Sequence, residues 1–185
     1  MSQAGVQHEV ASASPSARSF GERAIGAARL DSAVYDEIAQ SPSALGQAAA
    51  VVALAAAASA FASPERTTTL GAIFGAVAIA SAWLIGAGLI WVGARQQVAY
   101  SLLLRTVGFA MAPLTLVALE SIPFAPVRYA VALLSTALFV AALVVGTRQA
   151  LRVSTGTAAL LCAPVLILCL LLPVVIGYLA SMVGI

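Results

Sequence analysis

The sequence predicts an all-α fold: a polytopic membrane helix bundle with five transmembrane helices, preceded by a short interfacial amphipathic helix. Three observations predict it. Of 185 residues, 62% are apolar and only 9% are charged, against about a quarter charged in an ordinary soluble domain. The apolar residues fall into five runs, each long enough for a hydrocarbon core of about 30 Å. The runs are separated by short polar links, and the only charged residues inside the runs are Arg105 and Arg128, each near a run's start.

Residues 1–30 read as a tail, rich in Ser, Ala and Gly, with Pro15 and the only histidine, His8. Such a composition buries too little apolar surface to fold alone, so the tail is expected to be disordered. The membrane domain is assigned to residues 31–185. No secretory signal precedes the first apolar run, so the spans are expected to direct insertion themselves.

Residues 31–40 fit the short amphipathic helix. Asp31 or Ser32 can cap it, and Val34, Tyr35 and Ile38 share one face by their spacing. The opposite face is acidic, which places the helix in the interface plane or against the bundle. Ser41 and Pro42 then suit the cap and first position of a new helix.

Span one, residues 44–62, is nearly all alanine, a smooth surface suited to the inside of a bundle. Ser63 to Arg66 end it. Span two, residues 70–92, carries Gly71 and Gly75 four apart, with Ala72, Ala76 and Ala80 beside them. That is a candidate face for close helix packing. Trp83 lies deep, whereas Trp91 and nearby Tyr100 suit an interfacial aromatic belt.

Span three, residues 102–119, contains the densest mixture of chemistry in the chain. Arg105, Gly108 and Pro113 stand within nine residues of an otherwise apolar stretch. Pro113 has no N–H and clashes with the carbonyl of Phe109, which predicts a kink. Arg105 stands near the start of the span and can snorkel to the surface, or hold a lipid phosphate or a partner's carboxylate. Glu120 marks the far end. Span four, residues 127–145, has Arg128 near its start on the same membrane face as Glu120, an arrangement that allows an ion pair. Span five, residues 158–185, follows a link with Arg148 and Arg152, is capped by Ser154 or Thr155, and should be bent by Pro164 and Pro173.

All nine cationic residues are arginine, which suggests a GC-rich bacterial genome. Arginine sets sidedness. With the N-terminus cytoplasmic, that side holds Arg18, Arg23, Arg29, Arg95, Arg105, Arg148 and Arg152, and the other side only Arg66 and Arg128. The expected placement is therefore a bacterial inner membrane, N-terminus cytoplasmic and C-terminus outside.

Three stretches carry a family resemblance. Tyr35-Asp36-Glu37-Ile38-Ala39-Gln40-Ser41-Pro42-Ser43-Ala44 resembles a pre-membrane segment, an aromatic and an isoleucine before a polar-Pro-Ser start to span one. Leu104-Arg105-Thr106-Val107-Gly108-Phe109-Ala110-Met111-Ala112-Pro113 resembles a leucine-arginine, glycine-aromatic-alanine, proline pattern in span three. Arg148-Gln149-Ala150-Leu151-Arg152-Val153-Ser154-Thr155-Gly156-Thr157-Ala158 is similar to an arginine-rich link that opens span five. In order and spacing these resemble the Yip (Ypt-interacting protein) family of five-span proteins with a cytoplasmic N-terminus. The resemblance covers about residues 30–185. It implies the fold and a membrane-organising or accessory role, and it brings no catalytic residue. The acidic-aromatic-Gly-Pro signature of eukaryotic members is absent, and with it the expectation of a Rab-type GTPase partner.

Chemistry narrows the function further. The spans contain no histidine for haem. No Cys, His or carboxylate cluster suggests zinc. Phosphate-loop and nucleophile-elbow motifs are missing. No cofactor or metal is expected, and a net charge of +2 gives no case for nucleic acid. Cys162 and Cys169 would lie about 10 Å apart on one helix face, too far for a disulfide. The expected function is a non-enzymatic membrane protein acting through helix–helix and lipid contacts, as an accessory or structural subunit of a larger membrane complex. The alternative is an independent carrier of small molecules or ions, lined by Gln47, Ser81, Thr115, Ser135 and Thr136. The candidate interaction or structural residues are Arg105, Gly108, Pro113, Glu120, Arg128, Gly71 and Gly75.

Overall fold

A computed structural model describes residues 18–62 and 69–183, and every element in them is helical. Residues 1–17, the larger part of the expected tail, lie outside the described residues, as does His8 and the link from Ser63 to Arg66. The elements are α1 (Phe20–Ala28), α2 (Ser32–Gln40), α3 (Ala44–Ala62), α4 (Thr69–Gly93) and α5 (Tyr100–Ala110). A 3-10 helix (Ala112–Ser121) follows, then α6 (Ala125–Leu151) and α7 (Thr155–Val183). The faces of the bundle alternate along the chain. The near face holds α1, α2 and the starts of α3, α5 and α7; the far face holds the end of the 3-10 helix and the start of α6.

α1 corrects the expectation of a featureless tail up to residue 30. Ser19 and Glu22 form a reciprocal capping box: the Ser19 hydroxyl accepts from the Glu22 amide at 3.4 Å, and the Ser19 amide donates to the Glu22 carboxylate at 2.7 Å. This satisfies two donors that a helix start leaves without partners. Asp31 caps α2 by accepting from the Ala33 amide at 2.9 Å. Between them Leu30 turns the corner at a φ of 63°.

α2 buries the predicted face, with Tyr35 and Ile38 fully enclosed and Val34 at 2% exposure. It lies against α5 and α6. Pro42 sits in a turn just ahead of α3 rather than at its first position. Ser154 caps α7 as expected, accepting from the Thr157 amide at 3.2 Å.

Four helical spans, α3, α4, α5 with its 3-10 extension, and α6, have the length and apolarity to cross a membrane. α7 is 29 residues long and continues through Pro164 and Pro173. Outward side chains such as Phe61, Phe74, Val77, Leu133 and Leu160 are more than half exposed, which is the surface of a protein solvated by lipid tails. Burial picks out span three as the centre. 56% of its apolar stretch is buried, against 17% for α4 and 33% for α3. Span one is thus not wholly interior. Ala44, Ala48, Val51, Val52 and Ala55 face inward, while Leu54 and Phe61 face out.

Pro113 changes the winding of span three. An α-helix would need its missing N–H and would press its ring on the Phe109 carbonyl. The chain instead shifts to three-residue turns, with the Leu114 amide donating to the Met111 carbonyl at 2.9 Å. The 3-10 run lasts 10 residues, where three or four is usual. α3 and α6 flank it. At about 2.0 Å of rise per residue it advances roughly 20 Å, some 5 Å more than an α-helix of equal length.

α6 runs on to Leu151, past the expected end at 145. Its last turns bury Gly146, Thr147 and Ala150 beside α2, so packing rather than hydrocarbon thickness sets their length.

The small-residue contact of α4 also differs from expectation. A Cβ on Gly75 would meet nothing within 4 Å. The close approach occurs lower on the helix, where a Cβ on Gly86 would lie 2.9 Å from Val165 and one on Gly93 would lie 2.8 Å from Leu161. These two glycines stand seven apart on one helix face and bring α7 against α4. A Gly86→Val substitution should therefore lower the unfolding temperature of the detergent-solubilised protein, at a cost of about 1–3 kcal/mol for overpacking. Gly75→Val should cost less than about 0.5 kcal/mol. Thermal unfolding of the two variants side by side checks the assignment, and equal losses would refute it.

Candidate functional site

The predicted stretch in span three is the buried heart of the molecule. Each residue from Arg105 through Pro113 is buried. Three helices meet at Gly108. A Cβ there would stand 2.8 Å from the Ala48 Cβ of α3 and 3.1 Å from the Trp83 Nε1 of α4. The Trp83 indole N–H donates to the Leu104 carbonyl at 2.8 Å, one turn before the glycine. The approach is that of a small-residue contact between membrane helices, and the indole finds the hydrogen bond that a buried N–H needs.

Around this point the polar groups are mostly spent within the chain. The Thr106 hydroxyl donates to the Leu102 and Leu103 carbonyls, each at 3.2 Å. Thr115 and Ser135 donate to Ala112 and Ala132 on their own helices, a habit of hydroxyls in apolar surroundings. Gln47, a candidate pore residue by sequence, accepts from Arg23 Nη1 at 2.8 Å. Thr136 is exposed on the outside of α6.

The near face is closed by α1 and α2. Phe20 sets its ring against fully buried Phe109, centroids 6.5 Å apart. The Tyr35 ring fills the gap left by Gly146, where a Cβ would lie 2.9 Å away. The Tyr35 hydroxyl donates to the Ala27 carbonyl at 3.3 Å, and burial raises its pKa.

Sequence reasoning missed the ionic part of this closure. Arg23, only 3% exposed, donates through Nε and Nη2 to Glu37 at 3.0 and 2.9 Å. Arg18 adds a second cation on Glu37 at 2.8 Å. Burial works against a charge on Glu37, but the hydrogen bonds from Arg23 and Arg18 outweigh it and hold the carboxyl below its ordinary value. The legible signal was the Ser-x-x-Glu pattern at Ser19 and Glu22, which marks a helix start inside the supposed tail.

Arg105 is 8% exposed. Its Nε donates to the Ser101 carbonyl one turn back, at 3.0 Å. Its Nη1 is buried with no acceptor.

At the far face, Glu120 and Arg128 are brought together as expected, but not into an ion pair. With Ala125, Tyr129 and Ala132 they line an open cleft of about 190 Å³. Gly75 takes no part in either site, since a Cβ there would meet nothing within 4 Å. Cys162 and Cys169 are free thiols, and the Cys162 Sγ stands 3.3 Å from the Thr147 hydroxyl. Among the described residues no group of His, Cys, Asp and Glu is placed to hold a metal ion.

Two experiments test this geometry. Gly108→Val should destabilise the bundle by about 1–3 kcal/mol in thermal unfolding, whereas Gly46→Val, with nothing within 4 Å of its Cβ, should not. The second concerns pH. Because the folded pKa of Glu37 is lowered, its stabilising effect is complete above the unfolded value of about 4.3 and is lost as pH falls through the folded value. The protection of α1 amides against hydrogen exchange, taken relative to their intrinsic rates, should therefore fall on acidification below about pH 4.5, and Glu37→Gln should lower it at neutral pH. An α1 equally protected in the variant would refute the clamp.

A family model described as the Yip1 domain matches residues 31–176. No curated protein and no solved structure gives a significant match.

Proposed function

The chain belongs to the Yip1 domain family, and from that premise we propose that it is a non-enzymatic accessory or structural subunit of a larger membrane complex. It works through helix–helix and lipid contacts rather than by chemistry or conduction. The observation that carries this reading is the filled centre of the bundle. Gly108 is in contact with α3 and α4, the residues from Arg105 to Pro113 are all buried, and the hydroxyls nearby are bonded to their own helices. A protein with this interior supports binding on its outside. α4, with most of its apolar surface turned outward, offers the broadest face for a neighbouring subunit or for lipid.

The arginine distribution supports a bacterial inner membrane placement with α1 and α2 on the cytoplasmic side and the C-terminus outside. The alternative, an independent carrier of small molecules or ions, draws on the charged Glu120–Arg128 cleft at the far face.

The test is purification from native membranes in mild detergent through an N-terminal tag. The expected result is co-purification of other membrane proteins at fixed stoichiometry. A lone particle or a homo-oligomer, together with solute uptake in vesicles that is lost on Glu120→Gln, would overturn the subunit reading in favour of the carrier.

A further inference from the structure

Two arginines among the described residues are buried, and the fold treats them differently. Arg23 has a partner for every nitrogen, from Glu37 and Gln47. Arg105 has a partner for Nε alone, a carbonyl of its own helix. Its Nη1 is sealed without an acceptor; Nη2 has no protein partner either and is not sealed in. Arginine does not lose its proton in proteins, and a buried charge without a counter-ion is costly. Among the described residues the chain supplies none: no ion pair or hydrogen bond joins Arg105 to an acidic side chain, that of Asp36 on α2 included. Glu37 is held by Arg18 and Arg23, Glu22 by Ser19, and Asp31 by the Ala33 amide. Glu120 is a whole span away at the far face.

The position of the guanidinium defines the missing partner. Arg105 stands five residues after Tyr100, the first residue of α5, or about 7.5 Å along the helix axis. Its bond back to Ser101 turns the head group toward the near face. There Trp91 and Tyr100 pack edge to face, centroids 5.9 Å apart, as aromatic residues do at headgroup level. Arg95 in the α4–α5 link, and Arg148 and Arg152 at the end of α6, place further positive charge on that face, which concentrates anionic lipid.

We infer that Arg105 binds the phosphate of an anionic phospholipid in the near leaflet through Nη2, the terminal nitrogen of its guanidinium that is not sealed in. A charge-assisted hydrogen bond from Nη2 to a phosphate oxygen gives the guanidinium the counter-ion it lacks among the described residues. The acyl chains then lie on the apolar outer surface of the bundle. The inference rests on the membrane placement of the chain and not on its role as a subunit.

The experiment compares wild type with Arg105→Gln, each purified in neutral detergent and offered phosphatidylglycerol or phosphatidylcholine. Native mass spectrometry counts the lipids retained. Wild type should keep one phosphatidylglycerol per chain in preference to phosphatidylcholine. Arg105→Gln should bind it at least about tenfold more weakly, the loss of a charged hydrogen-bond partner, and Arg128→Gln, at the far face, should retain it. Equal retention by wild type and Arg105→Gln, or no preference over phosphatidylcholine, would overturn the assignment. Should the variant fail to fold, the wild-type unfolding temperature decides: a rise with phosphatidylglycerol and none with phosphatidylcholine upholds the site, and no difference refutes it. Stabilisation by inorganic phosphate but not by the lipid would also refute a lipid site. So would loss of a co-purifying protein from Arg105→Gln with lipid unchanged, which would assign the guanidinium to a partner's carboxylate. A lone particle that still retains phosphatidylglycerol would keep this site and remove only the subunit reading.

Discussion

The bundle depends on the missing side chain at Gly108. Hydrocarbon tails give helices no hydrophobic reason to associate, so contact area and hydrogen bonds must hold the spans together. A glycine in the middle of span three lets α3 approach through Ala48 and α4 through Trp83. The indole then reaches the Leu104 carbonyl, and Phe109, the next residue, presents its ring to α1. One absent methyl group thus fixes the mutual distance of three helices and the height at which α1 can dock. The Pro113 transition belongs to the same constraint. It lengthens the far half of the span, which α3 and α6 enclose.

The near face is built by a different economy. α1 and α2 are short helices, too short to be stable in isolation. Tyr35 anchors them by filling the space over Gly146, and Glu37 ties them together by taking both Arg18 and Arg23. Arg23 continues the tie to Gln47 at the start of α3. The two-helix segment is thereby joined to the spans by two aromatic contacts, Phe20 on Phe109 and Tyr35 over Gly146, and one charge network. The network is largely within reach of water at Glu37, so its strength depends on pH and ionic strength in a way that the packing at Gly108 does not.

Much of this was legible in the sequence, for identifiable reasons. The spans follow from apolar run length, a property of each segment alone, and α3 begins and ends at Ala44 and Ala62 as read. The buried face of α2 follows from spacing. The stretch from Leu104 to Pro113 stood out because Arg, Gly and Pro are each unfavourable within a span unless the surroundings use them. What failed were judgements of which surface meets which. Gly75 belongs to a sequence spacing typical of a packing motif, yet a Cβ there would meet nothing, and Gly86 and Gly93 make the contact with α7, because that is where α7 lies. The alanine face of α3 gave no sign that its other side is open. Gln47 looked like a lining residue since the partner that occupies it, Arg23, was assigned to a tail. Pairings of this kind are relations between distant segments, and periodicity within one segment does not carry them.

The contrast between the two faces bears on what the molecule is built for. A carrier must exchange one arrangement of its helices for another around a site near the midplane. Here the level of Gly108 is filled, with each residue from Arg105 through Pro113 buried. Opening it would withdraw Ala48 and Trp83 from Gly108 and leave the Trp83 N–H without its acceptor, a loss of packing together with an unpaired donor in an apolar medium. The polar groups available for recognition lie instead at the two faces: the Arg105 guanidinium with its unmatched nitrogens at one, and the Glu120–Arg128 cleft at the other. A closed centre with charged edges and an apolar girdle suits a protein that is held in place by its surroundings and holds them in turn, and this is the physical ground on which the subunit reading rests.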